Sequence, residues 1–172
     1  MAIRPIITAP DARLKGASRN VERVDVEIRM LIEDMFDSMY QANGIGLAAI
    51  QIGVPKRVIV MDLAAKEDDP PPRVFINPSI LWASDETVVL EEGCLSVPDI
   101  WEDVERPARI KCEHLDRDGK LVTLEAEGLF ATCLQHEMDH LEGVLFLDHL
   151  SKLKRSMVLR KLAKAKRLAA VD

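Results

Sequence analysis

The sequence predicts an α+β fold, with antiparallel β-strands packed around a central helix and with an N-terminal helix and a C-terminal helix flanking them. Two observations carry this. An amphipathic helical pattern comes first, a run of short strand-like segments follows, and two helical patterns close the chain. The strand segments do not alternate with helices, which disfavours a doubly wound parallel sheet.

Each element has its own warrant. Residues 25–41, DVEIRMLIEDMFDSMYQ, place Ile28, Leu31, Ile32, Met35 and Met39 at three- and four-residue spacing, one apolar stripe on a helix. Asp25 is positioned to cap its start and Gly44 to stop it. GLAAIQIG (46–53) and RVIVMDL (57–63) read as strands joined by a turn at Gly53–Pro55. EDDPPPR (67–73) reads as a loop, because three prolines cannot sit in a central strand. VFINPSIL (74–81), ETVVLEEGCLS (86–96) and ARIKCEHLD (108–116) read as further strands. DRDG (116–119) is a turn, and KLVTLEAEG (120–128) returns as the second arm of a hairpin. A second helix covers roughly 128–142 and a third lies near 149–169.

A chain of 172 residues suits one domain with a real core and is short for two. The expected organisation is a catalytic body over 1–148 and a basic helical tail over 149–172 within that single domain. No run of 18 apolar residues exists, so no membrane helix is expected. The opening MAIRPIITAPDARL lacks the apolar stretch of a secretion signal, and three cysteines, Cys94, Cys112 and Cys133, make a disulfide scaffold improbable. A reducing, cytoplasmic location and a monomer are the expectations.

Charge is uneven along the chain, whose net value is −6. From His149 to the end, eight basic residues face one acidic residue, while the first 148 residues hold 15 basic against 28 acidic. An acidic body with a basic tail points to a tail with its own partner. In that tail Leu150, Leu153 and Met157 fall on one side of a helix.

The chemistry sits in CLQHEMDHLEG (133–143). His136 and His140, four apart, share one helix face and can grip one metal ion, with Glu137 beside the first of them. The pattern is short, and its bland reading is two histidines and a glutamate on a solvated helix face. Catalytic sites of this type take three protein ligands. Phe146 stands where one class of metalloproteases has a third His, and no acidic residue lies between Asp148 and Asp172 to act as a downstream ligand. A protease of internal peptide bonds is therefore disfavoured, and the third ligand must come from upstream. Cys94, at a strand end beside Gly93, is the best placed thiol. Cys112 sits in a strand-like alternation, and Cys133 lies on the motif helix where it can wall the site.

GIGLAAIQ (44–51), EGCLSVP (92–98) and QHEMDHLEG (135–143) together resemble, in order, the three signature motifs of the bacterial peptide deformylases, in their short form with a C-terminal helix. The resemblance covers nearly the whole chain. It implies that Cys94, His136 and His140 hold one divalent metal ion, Fe2+ in the working enzyme, with Zn2+, Ni2+ or Co2+ also compatible with the donor set. It implies hydrolysis of the formyl group from the N-terminal formyl-methionine of nascent polypeptides. A thiolate and two neutral imidazoles leave a divalent site at about +1, a milder Lewis acid than an all-histidine site. Other groups must then stabilise the oxyanion. The resemblance gives that task to Gln51 and the backbone N–H of Leu95, where losing one donor costs roughly 100- to 1,000-fold in rate. Glu137 would move the proton from the attacking water to the departing amine.

By the same resemblance the substrate lies in strand-like fashion along Ile45 and Gly46. Its methionine side chain enters an apolar pocket that includes Ile45, Leu129, Cys133 and the ring of His136. Glu92 belongs to this substrate-binding set as a residue standing behind the ligands, and Trp101 borders whatever follows the methionine. GIGLAA is not a phosphate loop, since no Lys or Ser follows Gly46 in the required place. Some members of the family use a basic C-terminal helix to bind the ribosome, which implies rRNA and protein near the nascent-chain exit as partners here. The rival readings are a metalloprotease and a non-catalytic RNA-binding protein on an enzyme scaffold.

Overall fold

The computed structural model describes residues 2–64 and 71–171. Helix α1 (Val26–Gln41) begins where expected, with the Asp25 carboxylate accepting a hydrogen bond from the Ile28 N–H. Among the described residues seven antiparallel strands follow: β1 (Gly46–Ala48), β2 (Val58–Met61), β3 (Arg73–Ala83), β4 (Thr87–Cys94), β5 (Val97–Pro107), β6 (Arg109–Leu115) and β7 (Leu121–Glu127). Helix α2 (Gly128–Leu141) carries the His-Glu-x-x-His motif, and α3 (Lys152–Ala169) forms the tail. One sheet runs in the order β1-β2-β3-β6-β7, and β4 and β5 form a separate hairpin. The α+β class is as the sequence predicts.

The larger sheet is covered on both faces at its β1–β3 side. Leu47, Val58, Val60, Val74 and Ile76 pack with α1, while Ala48, Ile59, Met61 and Phe75 pack with α2. This is why VIVM is an unbroken apolar run: both faces of β2 are buried. At the β6–β7 side one face is open, and Ile110, Cys112 and Ala126 alternate with exposed residues. A third cluster joins the β4–β5 hairpin, through Val97, Ile100 and Val104, to Leu14, Phe146, Val158 and Leu162. Helix α2 therefore lies between sheet and hairpin.

Four expectations are corrected. GLAAIQIG is a strand only over Gly46–Ala48; Ala49–Ile52 is a 3-10 helix closed by Gly53 at φ 83°, so Gln51 does not stand on a strand edge. Strand β5 was not foreseen, because Asp99 at φ 63° and a register shift beside Cys94 break its period of two. The tail helix starts at Lys152, after a 3-10 turn over Phe146–His149. Its packed face is Val158 and Leu162; Leu153 and Met157 point outward at 72% and 59% exposure. The EDDPPPR loop falls mostly on residues 65–70, outside the described residues.

Candidate metal centre

Cys94 is the last residue of β4, followed by the two-residue turn Leu95–Ser96 and then Val97, its pairing partner on β5. The turn places the thiol against α2. Cys94 Sγ lies 3.4 Å from His140 Nε2, and one ligand atom each from Cys94, His136 and His140 lie within 4.8 Å of one another. Both histidines are buried, and their rings meet edge to face at 5.2 Å.

The surroundings of these three side chains fit a cation. Burial opposes charge on His136, yet contacts with Cys94 and Glu92 outweigh it and raise its pKa, so this corner of the site favours positive charge, whether a proton or a metal ion supplies it. Burial, aided by His136 and Arg106, holds His140 well below the ordinary histidine value, so it stays neutral, as a ligand must. His136 Nδ1 is bonded to Glu92 Oε1 at 2.8 Å, which leaves its Nε2 for an ion. The other two thiols are held protonated by burial, Cys112 at about 11 and Cys133 well above its usual value. A buried protonated thiol is a poor ligand.

Glu137 is wholly enclosed, and burial pushes its carboxyl up to about 7. Its Oε2 has no hydrogen-bond partner among the described residues. A carboxyl poised near neutrality suits transfer of a proton in either direction. Gly46 passes directly over it: a Cβ there would lie 2.8 Å from Glu137 Oε1 and 3.2 Å from Cys133 Sγ. Gln51 is fixed at both ends, its Oε1 accepting from the Ala48 N–H at 2.9 Å and its Nε2 donating to Ser96 Oγ at 3.0 Å and towards Cys94 Sγ at 3.6 Å.

A cavity of about 500 Å³ opens beside these residues. Ile45, Gly46, Glu92, Leu95, Trp101, Leu129 and Cys133, all expected from the sequence, line it. The Trp101 ring lies on Gly93, where a Cβ would be 2.5 Å from the indole. Glu92 is buried with its carboxylate engaged from behind. Arg106 grips it through Nε at 2.7 Å and a terminal nitrogen at 3.0 Å, and reaches Asp139 at 2.8 Å. Asp139 in turn meets His149 at 2.8 Å. Burial raises the Glu92 pKa, but the bonds from His136 and Arg106 outweigh it and hold the carboxyl ionised.

Sequence reasoning missed Arg106, Asp139 and Ser96. Asp139 was within reach, since it lies one turn after His136 in the motif itself. Arg106 had no signal, because the strand that carries it was not recognised.

Fold and site together point to a metal-binding hydrolase, with one Cys and two His that could hold an ion beside an enclosed glutamate. The family model described as Polypeptide deformylase matches residues 3–156. A peptide deformylase of Phenylobacterium zucineum is 61% identical over 164 residues, covering 95% of this chain and 97% of that one. One of Afipia carboxidovorans is 58% identical, with 99% of each chain covered. Among solved structures, a peptide deformylase from Ehrlichia chaffeensis in complex with actinonin has 44% identity and a TM-score of 0.93, covering 97% of this chain and 99% of that one. The chain belongs to the polypeptide deformylase family. It is a hydrolase that removes the N-terminal formyl group from peptides.

Proposed function

We propose that this enzyme cleaves formyl-methionyl nascent polypeptides with Cys94, His136 and His140 as the ligands of one divalent ion, Fe2+ in the working state. The observation that carries this is the meeting of one thiol and two buried imidazoles beside an enclosed glutamate. When bound, the ion supplies Lewis-acid chemistry and lowers the pKa of a water it holds.

The chain's own residues do the rest. Glu137 takes the proton of the attacking water and delivers it to the departing amine, so that the amine leaves neutral and formate is the other product. Gln51 Nε2 and the backbone N–H of Leu95 stabilise the oxyanion. Ser96 and Ala48 hold the Gln51 amide in place, so its donor is preorganised. The peptide runs along Ile45 and Gly46, its methionine side chain passes between Ile45, Leu129, Cys133 and the His136 ring, and Trp101 borders the next residue. A formyl carbon bears no side chain, which admits it under Gly46 where larger acyl groups meet the wall.

Metal-replete protein given formyl-Met-Ala should release formate and a free amine. Absence of formate sinks the deformylase reading, and cleavage between Met and Ala favours a protease instead. Anaerobic purification with metal analysis identifies the ion.

The catalytic body spans 1–148, and the basic tail over 149–172 docks a cytoplasmic monomer on the ribosome near the exit of the nascent chain. Supporting this, Arg160, Lys161, Lys164 and Arg167 are exposed while Val158 and Leu162 anchor the helix to the body. No helix among the described residues is long and apolar enough to cross a membrane. Reversing those four charges to Glu should abolish co-sedimentation with ribosomes at low salt; unchanged co-sedimentation refutes the docking.

A further inference from the structure

The segment that precedes α1 touches both halves of the oxyanion site. Residues 7–9 bridge the 3-10 helix that carries Gln51 and the turn that carries Leu95. The Ile7 N–H donates to the Gln51 carbonyl at 2.7 Å, and the Ala9 N–H donates to the Ser96 carbonyl at 2.8 Å. Gln51 and Ser96 are themselves joined, Nε2 to Oγ, at 3.0 Å. With the peptide bonds that link Ile7, Thr8 and Ala9, these three hydrogen bonds close a ring.

The ring is buried and backed from behind. Ile7, Ala9, Gln51 and Ser96 are all buried. Ile7 and Ala9 share the third apolar cluster with Val97, Val158 and Leu162. The Thr8 carbonyl accepts from Lys166 Nζ of α3 at 3.3 Å. Hydrogen bonds away from water are strengthened, and a buried carbonyl that loses its donor is costly. The carbonyls of Gln51 and Ser96 are therefore held to two N–H groups whose spacing is set by one intervening residue.

We propose that Ile7, Thr8 and Ala9 form a positioning strap that fixes the two oxyanion donors relative to each other. This rests on the assignment of Gln51 Nε2 and the Leu95 N–H as those donors. The donors stand on segments more than forty residues apart in the chain, and Leu95 directly precedes Ser96. Neither donor is useful unless both point at one oxygen, because such stabilisation depends on donors fixed before the reaction begins. The strap supplies that fixed distance without touching substrate or metal.

The test compares Ile7→Pro, which removes the N–H, with Ile7→Ala, which loses the side chain and keeps the N–H. With metal-loaded enzyme and formyl-Met-Ala, kcat of Ile7→Pro should lie roughly tenfold below that of Ile7→Ala, a part of the 100- to 1,000-fold that loss of a whole oxyanion donor costs. KM and bound metal should match between the two. In a Gln51→Ala background the ring is already open and no side-chain donor remains, so the same difference should shrink to within about twofold, the error of such a cycle. A strap that only stabilises the fold lowers kcat equally in both backgrounds. That result, or equal kcat for Ile7→Pro and Ile7→Ala, overturns the proposal. The α-hydroxy acid of isoleucine at position 7 removes the same N–H with the side chain intact, and it decides the question if Ile7→Pro does not fold. Unchanged kcat for Gln51→Ala alone would instead overturn the oxyanion assignment on which the strap depends.

Discussion

Arg106 holds Glu92 by two nearly parallel bonds, Nε to Oε2 at 2.7 Å and the second terminal nitrogen to Oε1 at 3.0 Å, with both side chains about 5% exposed. Glu92 passes the constraint on to His136 through the 2.8 Å bond to Nδ1. The orientation of an imidazole on α2 is thus set by an arginine on β5 that never touches it. Arg106→Gln leaves a buried carboxylate without its main partner. It should weaken metal binding by roughly 10- to 100-fold, as loss of a group orienting a ligand does. It should also cost about 3–5 kcal/mol of stability, as breaking a buried pair does. Chelator competition and urea denaturation measure the two effects, and metal affinity equal to that of the natural protein would rule the orienting role out.

Cys94 and Glu137 should separate binding from chemistry. Cys94→Ala removes the proposed ligand thiol and should lose metal and activity together. Glu137→Gln keeps the shape of the side chain and should retain metal while turnover falls roughly 100- to 10,000-fold. Metal analysis beside single-turnover kinetics distinguishes the two, and a fully metallated Cys94→Ala protein contradicts the ligand assignment.

Gly46 has no room for a side chain. A Cβ there meets Glu137 Oε1 at 2.8 Å and Cys133 Sγ at 3.2 Å. Because the nearest atom ends a side chain rather than the backbone, Gly46→Ala should fold and displace the Glu137 carboxylate. A shift on the order of 1 Å in a catalytic group costs about 100-fold in rate, so kcat should drop with metal content unchanged. Full activity would mean that the methyl group leaves the Glu137 carboxylate in its working position.

His114 links stability to pH. Its ring is buried beside Phe75, with centroids 4.6 Å apart, and Nδ1 meets the Leu115 carbonyl at 2.9 Å. Burial lowers its pKa and outweighs the bond to Leu115. The unfolded chain therefore takes up this proton first, near an ordinary histidine value of about 6.5. Stability is complete above that value and falls as pH drops from there through the depressed folded value. His114→Gln should flatten this part of the profile of melting temperature against pH. An unaltered slope below about pH 6.5 in the variant would assign the dependence to other groups.

The two faces of α3 should differ sharply in their effect on stability. Leu162 is 6% exposed within the third cluster, so Leu162→Ala should cost about 2–4 kcal/mol. Leu153 is 72% exposed, and Leu153→Ala should stay within about 0.5 kcal/mol. Equal losses in denaturant titrations would mean that the helix packs by the other face.

Local chemistry was legible wherever it was local in sequence. Helix α1 was readable because its stripe, Ile28 to Met39, and its Asp25 cap lie within a few turns. The hairpin of β6 and β7 was readable from DRDG and from alternation on a sheet with one open face. GLAAIQIG was ambiguous for the opposite reason. Its residues are buried all round, and an apolar run buried on every side has no period to tell a strand from a 3-10 turn. Strand β5 was hidden because its inward residues, Val97, Ile100 and Val104, do not recur every second position. The tail misled because three apolar residues on one side suggest a face, while the body offered its surface to Val158 and Leu162.

By itself the sequence offered the candidate donors: a His-Glu-x-x-His helix and a cysteine upstream on a strand end. A spacing of four residues on a helix is a short-range fact, and it survives any arrangement of the rest. Only the tertiary structure decided which thiol faces the histidines, that Glu137 is enclosed enough to titrate near neutrality, and that Arg106 and Asp139 stand behind the site. These depend on burial and on pairs far apart in the chain. Desolvation and charge pairing act through space, and the periodicity of a sequence carries no record of which distant side chains share one dry interior.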